Sequence, residues 1–94
     1  MYLHIGSDEI VFLKDIIAIM DIERTTTSHT TREFLKGCEA RNIVKTVGTD
    51  IPKSFIVARK DGKVIVYLSP ISSSTLCKRA KKQNNYGRRN GTDV

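Results

Sequence analysis

Apolar residues along this chain fall in short runs separated by turn-forming clusters. Tyr2-Leu3-His4-Ile5 reads as a short strand, Gly6-Ser7-Asp8 as a turn and Ile10-Val11-Phe12-Leu13 as a second strand, so the pattern predicts a hairpin. Ile16-Ile17-Ala18-Ile19-Met20 is a third run. It is rich in β-branched residues and too short for a helix of ordinary length, which predicts a strand. Its continuity implies burial on both faces, one against the domain core and the other against a helix or a neighbouring subunit. Ile16, Ile17 and Ile19 are therefore candidate oligomer-interface residues.

The stretch from Glu23 to Thr30 is polar and predicts a loop, with the hydroxyl run Thr25-Thr26-Thr27-Ser28 and His29 inside it. Thr30 and Glu33 have the spacing of a capping box. A helix is expected from there to about Arg41, with Phe34, Leu35 and Cys38 on one face and Asn42 as its stop. Gly37 inside it costs about 1 kcal/mol of helix propensity. That implies either a close neighbouring backbone or a weak helix. Ile43 to Val47 predicts a strand, and Gly48-Thr49-Asp50 a turn. Lys53 to Arg59 predicts another strand, with Phe55 and Val57 on one face and Ser54, Ile56 and Ala58 on the other. Asp61-Gly62 between two strand patterns is the strongest hairpin signal in the chain. Val64 to Leu68 is the returning strand, ended by Ser69-Pro70. Ser72 can cap a final helix over about Ser73 to Ala80, stapled by Ile71 and Leu76. The order β-β-β-α-β-β-β-α predicts a small α+β domain: a mostly antiparallel sheet of about six short strands with two helices.

Composition sharpens this picture. With 94 residues and 39% hydrophobic content, one small domain is expected and disorder throughout is not. The net charge of +6 is unevenly placed. Residues 78–94 hold six bases against Asp93 alone, a balance of +5, while residues 1–77 hold ten bases and nine acids, a balance of +1. The expected division is a domain over 1–80 and a basic, disordered tail over 81–94, since no apolar periodicity survives there. Such a tail attracts polyanions by phosphate neutralisation. Cys38 and Cys77 have neither zinc-ligand nor disulfide-framework spacing and read as buried free thiols. Free thiols, with no signal peptide or membrane span in the sequence, predict a cytoplasmic protein.

Catalytic chemistry is not indicated. His4 and His29 lie far apart in sequence without motif partners, and no phosphate-binding loop or metal-ligand set is present. No enzyme activity, cofactor, metal or small-molecule substrate is expected. Few aromatic residues, three Tyr and three Phe with no Trp, argue against a stacking platform for single strands.

As a whole string the sequence resembles the RemA/RemB family of bacterial regulators of extracellular-matrix (biofilm) genes, in its RemB-type branch. The likeness is carried by Met1-Tyr2-Leu3-His4-Ile5-Gly6, by Lys14-Asp15-Ile16-Ile17-Ala18-Ile19 with Asp21, by Lys53-Ser54-Phe55-Ile56-Val57, and by the segment from Tyr67 to Leu76. It spans residues 1 to about 79. The resemblance implies an α+β subunit that assembles into rings, and double-stranded DNA contacted by arginines of the RemA branch. This chain departs from that branch at the contact positions. Asp15 stands where RemA-type proteins carry an arginine, and Gly48-Thr49-Asp50-Ile51-Pro52-Lys53 replaces a turn with a basic pair. Acids there repel phosphate.

The expectation is a non-enzymatic, oligomeric regulator of matrix genes. Lys14, Lys53, Lys78, Arg79, Lys81 and Lys82 are the candidate DNA-contacting residues. The alternative is an adaptor that binds another regulator without touching DNA. A homo-oligomeric ring is the expected assembly, with no membrane partner.

Overall fold

A computed structural model describes residues 1–22 and 29–91, with 83–91 described by their backbone alone. The first two runs form the predicted hairpin, β1 (Tyr2–Gly6) and β2 (Glu9–Phe12), paired antiparallel as a sheet of their own. A single 3-10 turn, Leu13–Asp15, leads into β3 (Ile16–Asp21). Helix α1 (His29–Ala40) precedes β4 (Val44–Thr46), β5 (Ser54–Lys60), β6 (Lys63–Ser69) and helix α2 (Ser73–Gly91). The last four strands make one sheet in the order β3-β5-β6-β4.

Pairing is mostly antiparallel, as expected, but the six strands fall into two sheets and not one, and the larger sheet is mixed. β3–β5 and β5–β6 are antiparallel, but β4 runs parallel to β6. The cause is topological. The chain crosses from β3 through α1 to the far edge, enters as β4, then returns through β5 into the middle of the sheet.

Strand alternation divides the core in two. Ile56, Ala58 and Tyr67 point to one face, where the hairpin residues Leu3, Ile5 and Val11 and the helical Leu76 cover them. Phe55 and Val66 point to the other, where Cys38 and Leu35 of α1 cover them. The split across β5 is the one its sequence predicts. β3 packs on both faces too, with Ile16 and Ile19 against the hairpin-side core and Met20 against the α1-side core. The register shifts between Ile16 and Ala18. Ile17 is thereby turned outward and is 60% exposed.

Local signals account for the element ends. Asp61 and Gly62 both have positive φ, 52° and 78°, as a two-residue I′ turn requires. α1 stops at Asn42, φ 59°. The Asn42 N–H donates to the Glu39 carbonyl and the Ile43 N–H to the Cys38 carbonyl, a Schellman closure. Ser72 caps α2: its Oγ accepts from the Thr75 N–H at 3.3 Å, while Ile71 and Leu76 share one core cluster. Thr30, in contrast, does not cap α1, because the helix already includes His29, which was expected in a loop. Residues 23–28, where a loop with a hydroxyl run is expected, lie outside the described residues. Open space faces Gly37, so no neighbouring backbone comes close there. α2 continues past Ala80 to Gly91 instead of giving way to an irregular tail. Lys81, Lys82 and Gln83 are good helix formers and no proline follows Ala80.

Two buried serines join the layers. Ser54 and Ser69 are directly paired across β5 and β6, and both are fully buried. The Ser69 hydroxyl donates to the Ile5 carbonyl of β1 at 2.6 Å and accepts from the Ile71 N–H at 3.0 Å. The Ser54 hydroxyl donates to the Ile71 carbonyl at 2.7 Å. Between them Pro70 fills the space beside Gly6, where an added Cβ would stand 3.1 Å from the proline Cδ. The Gly6 φ of +125° also disfavours any side chain.

The thiols differ. Cys38 is buried on the inner face of α1, and burial raises its pKa, the nearby Arg41 charge opposing that rise. Cys77 is exposed, contrary to the expected burial. Leu76 takes the inward direction on α2, and the next residue is rotated about 100° away.

Ser69→Ala leaves a buried carbonyl and a buried N–H without their partner. A loss of about 1–3 kcal/mol is expected, read as a lower urea midpoint at unchanged m. A thiol reagent at neutral pH is expected to modify Cys77 quickly and Cys38 only on unfolding, giving one fast equivalent in the native protein and two in denaturant.

Candidate nucleic-acid interface and assembly edges

The cationic part of the surface is organised by α2. Leu76 faces the core and Ala80 is half-buried one turn later, which leaves Lys78, Arg79, Lys81 and Lys82 exposed. The helix lies along β1. An Arg79 Nη donates to the His4 carbonyl at 3.1 Å, and Arg79 and Lys82 line a shallow groove of about 320 Å3 with Tyr2, Leu3 and His4. His4 accepts no catalytic geometry here; its Nε2 lies 2.6 Å from the Ser7 carbonyl, within its own hairpin turn. Lys14 sits at the same end of the hairpin. Tyr2 pairs with Phe12, and Lys14 lines the adjoining groove with Met1, Phe12 and Leu13.

Lys53 is not part of this group. Ile16 pairs with Ala58, and Asp21 with Ser54. The residues before β3 and before β5 therefore lie at opposite ends of the strand pair, about 20 Å apart for a six-residue strand. The same register separates Asp15 from Asp50. Of the six candidate DNA contacts, five gather around α2 and the hairpin start, and the sixth stands alone within the subunit.

Acidic residues collect elsewhere. Asp8, Glu9 and Asp15 line a cleft of about 280 Å3 between β2 and the sheet, with Lys60 and Tyr67 on its other side. Glu9 also forms a 3.0 Å ion pair with Lys45 of β4. That hydrogen bond, followed by the charge itself, raises the Lys45 pKa. Among the described residues no cluster of His, Cys, Asp or Glu could hold a metal ion.

Among the described residues neither edge of the four-stranded sheet carries a further strand. Among the described residues β3 pairs only with β5. Of the interface candidates, Ile17 faces outward from this edge, whereas Ile16 and Ile19 are mostly taken up by the core. At the opposite edge β4 covers only Val66 to Leu68 of β6. The uncovered half of β6 borders a groove of about 510 Å3, lined by Ile43, Val44, Val64 and Ile65 and rimmed by Lys45, Lys60, Lys63 and Asp61. The groove was not legible in the sequence, because it depends on strand order; Ile17 was a candidate there together with Ile16 and Ile19, and only the bulge sets it apart from them. Among the described residues no helix is long and apolar enough to cross a membrane.

The chain is thus a small α+β domain with a basic terminal helix. Comparison with known proteins gives it a family. Residues 2–80 match the RemA-like family, described as extracellular matrix regulatory protein A-like, and the chain belongs to that family. Within it the chain is RemB-like. It is 40% identical over 81 residues to extracellular matrix regulatory protein B of Bacillus subtilis (strain 168), an alignment covering 86% of this chain and 91% of that one.

Proposed function

We propose that this chain is a non-enzymatic, oligomeric regulator of extracellular-matrix gene expression that engages double-stranded DNA through α2. The observation that supports the reading is the placement of Lys78, Arg79, Lys81 and Lys82 on the exposed side of one helix, with Lys14 at the same end of the subunit. No acid lies among those helical bases. Contact of this kind is with phosphates, so it is salt-sensitive and weakly sequence-specific. Lys53 joins such a surface only if a neighbouring subunit brings it there.

A second reading, an adaptor that docks on another regulator without DNA, draws on Asp15. At the place where RemA-type proteins carry an arginine, this chain presents an acid to a cleft already holding Asp8 and Glu9. That surface repels phosphate and suits a basic protein partner.

The apolar strand β3 supports oligomerisation: among the described residues it pairs on one side only, and its Ile17 is 60% exposed. The protein is expected to scatter light as a discrete species several times its 10.6 kDa subunit mass. Ile17→Glu is expected to lower that mass, and a wild-type monomer at micromolar concentration would remove assembly from the account. In mobility-shift titrations against salt, duplex DNA is expected to bind at low ionic strength. The Lys78→Ala, Lys81→Ala, Lys82→Ala variant is then expected to flatten the plot of log K against log salt by about 0.9 for each base that had neutralised a phosphate. An absence of binding to any duplex at low salt leaves the adaptor reading in place.

A further inference from the structure

We infer that the cleft beneath β2 is a binding site for a small organic cation, an ammonium carried on a short aliphatic stem. The inference is independent of how α2 meets DNA. It concerns the cleft on which the adaptor reading draws, and it places a small molecule there instead of a protein.

The cleft is the gap between the hairpin and the four-stranded sheet. β2 and Asp8 of the turn before it line one side, and Ala58 and Lys60 of β5 with Tyr67 of β6 line the other. Lys45 and Tyr67 are register partners across β4 and β6, and the Lys45 ammonium lies 3.0 Å from Glu9. That ion pair ties β4 to β2 beside Tyr67. Asp15 enters the cleft from the 3-10 turn before β3. The volume, about 280 Å3, is small for a drug-sized ligand and suits one of a few heavy atoms.

Two polar groups in the cleft lack partners. Tyr67 is only 8% exposed, yet among the described residues its hydroxyl makes no hydrogen bond. No fully enclosed side-chain polar atom there is left without a partner, so this hydroxyl opens onto the cleft that Tyr67 lines. The Asp15 carboxylate is half-buried, and among the described residues it makes neither an ion pair nor a hydrogen bond. A carboxylate partly withdrawn from water without a partner is costly, and a ligand that supplies a donor and a positive charge offsets that cost.

Charge and chemistry narrow the ligand. Asp8, Glu9 and Asp15 outnumber Lys60 in the lining, and Lys45 neutralises Glu9. Lys60 faces these acids but pairs with none of them. One carboxylate charge is left in excess, which calls for a monocation and repels phosphate. The acids form no cluster able to hold a metal ion among the described residues. An ammonium instead brings three N–H donors, and the Asp15 carboxylate and Tyr67 hydroxyl are acceptors for them. Ile10, Val11, Phe12 and Ala58 give the methylenes of a stem an apolar wall.

The test is a titration of the full chain, labelled with 15N and followed by its amide shifts, with butylamine, 1-butanol and magnesium chloride at one ionic strength. Butylamine is expected to give saturable shifts at Ala58, Tyr67 and β2, and the other two are not. Asp15→Asn is expected to weaken butylamine about tenfold, and Tyr67→Phe about threefold, by loss of one hydrogen bond each. Lys60→Ala removes an opposing charge and is expected to tighten binding, while Lys63→Ala, outside the cleft, leaves it unchanged. An unchanged far-ultraviolet spectrum shows each fold intact, and Lys60→Ala reads the site without touching the core. No saturable response to butylamine, an equal response to 1-butanol, or unchanged affinity in both Asp15→Asn and Tyr67→Phe would overturn the inference. Each of those results leaves the adaptor reading standing, because a basic protein docking on the rim of the cleft does not need the Tyr67 hydroxyl.

Discussion

The buried pair Ser54 and Ser69 is the constraint on which the rest of the subunit depends. A serine hydroxyl removed from water destabilises a core unless it finds partners, and here both find them in other layers. Ser69 reaches the Ile5 carbonyl, which fixes the end of β1 over the sheet, and receives the Ile71 N–H, which fixes the chain entering α2. Ser54 holds the Ile71 carbonyl from the other side. The link Ser69-Pro70-Ile71 is thus clamped at both peptide groups, and Pro70 needs the bare backbone of Gly6 beside it. Hairpin, sheet and helix start are positioned by one small polar cluster. The direction in which α2 leaves, along β1 and toward Lys14, follows from it.

That geometry decides where function can lie. Both sheet faces are covered, one by the hairpin and α2, the other by α1. What remains for partners is the exposed side of α2, the cleft under β2 and the two sheet edges. The charges on these surfaces are grouped: bases on the helix, three acids facing Lys60 in the cleft, and Lys60 and Lys63 with Asp61 around the β5–β6 turn. A net charge of +6 hides this division, because a polyanion responds to local potential and not to the sum.

Much of the fold was legible in the sequence wherever a local rule sufficed. Asp61-Gly62 allows few turns other than the one found, Ser72 with Ile71 and Leu76 marks a helix start, and Asn42 marks a helix end. The alternation in β5 assigns its faces correctly. What could not be read depends on long-range pairing. The three residues of β4 carry no sign of whether β6 will run with or against them. The bulge that exposes Ile17 exists only in the register with β5. Cys77 differs from Leu76 by one step around a helix, and only the direction of packing shows which of the two is buried. The same limit applies to the site. The bases of 78–82 are adjacent in sequence and stay together on one helix, whereas Lys14 and Lys53 gave no indication of lying at opposite strand ends.

The separation of Lys14 and Asp15 from Asp50 and Lys53 constrains the DNA surface proposed above. Two charges about 20 Å apart across a strand pair lie beyond the screening length of about 8 Å at physiological ionic strength. Within one subunit they cannot act on the same phosphate. A surface that uses both ends of β3–β5 must therefore be completed by a neighbouring copy, and it exists only in the assembly. A surface built on α2 carries no such requirement, since its bases and Lys14 belong to one end of one subunit. Placing acids at Asp15 and Asp50 weakens the first kind of surface and leaves the second intact. In this chain the bases are accordingly concentrated on the exposed side of the terminal helix, while the strand ends carry acids beside Lys14 and Lys53.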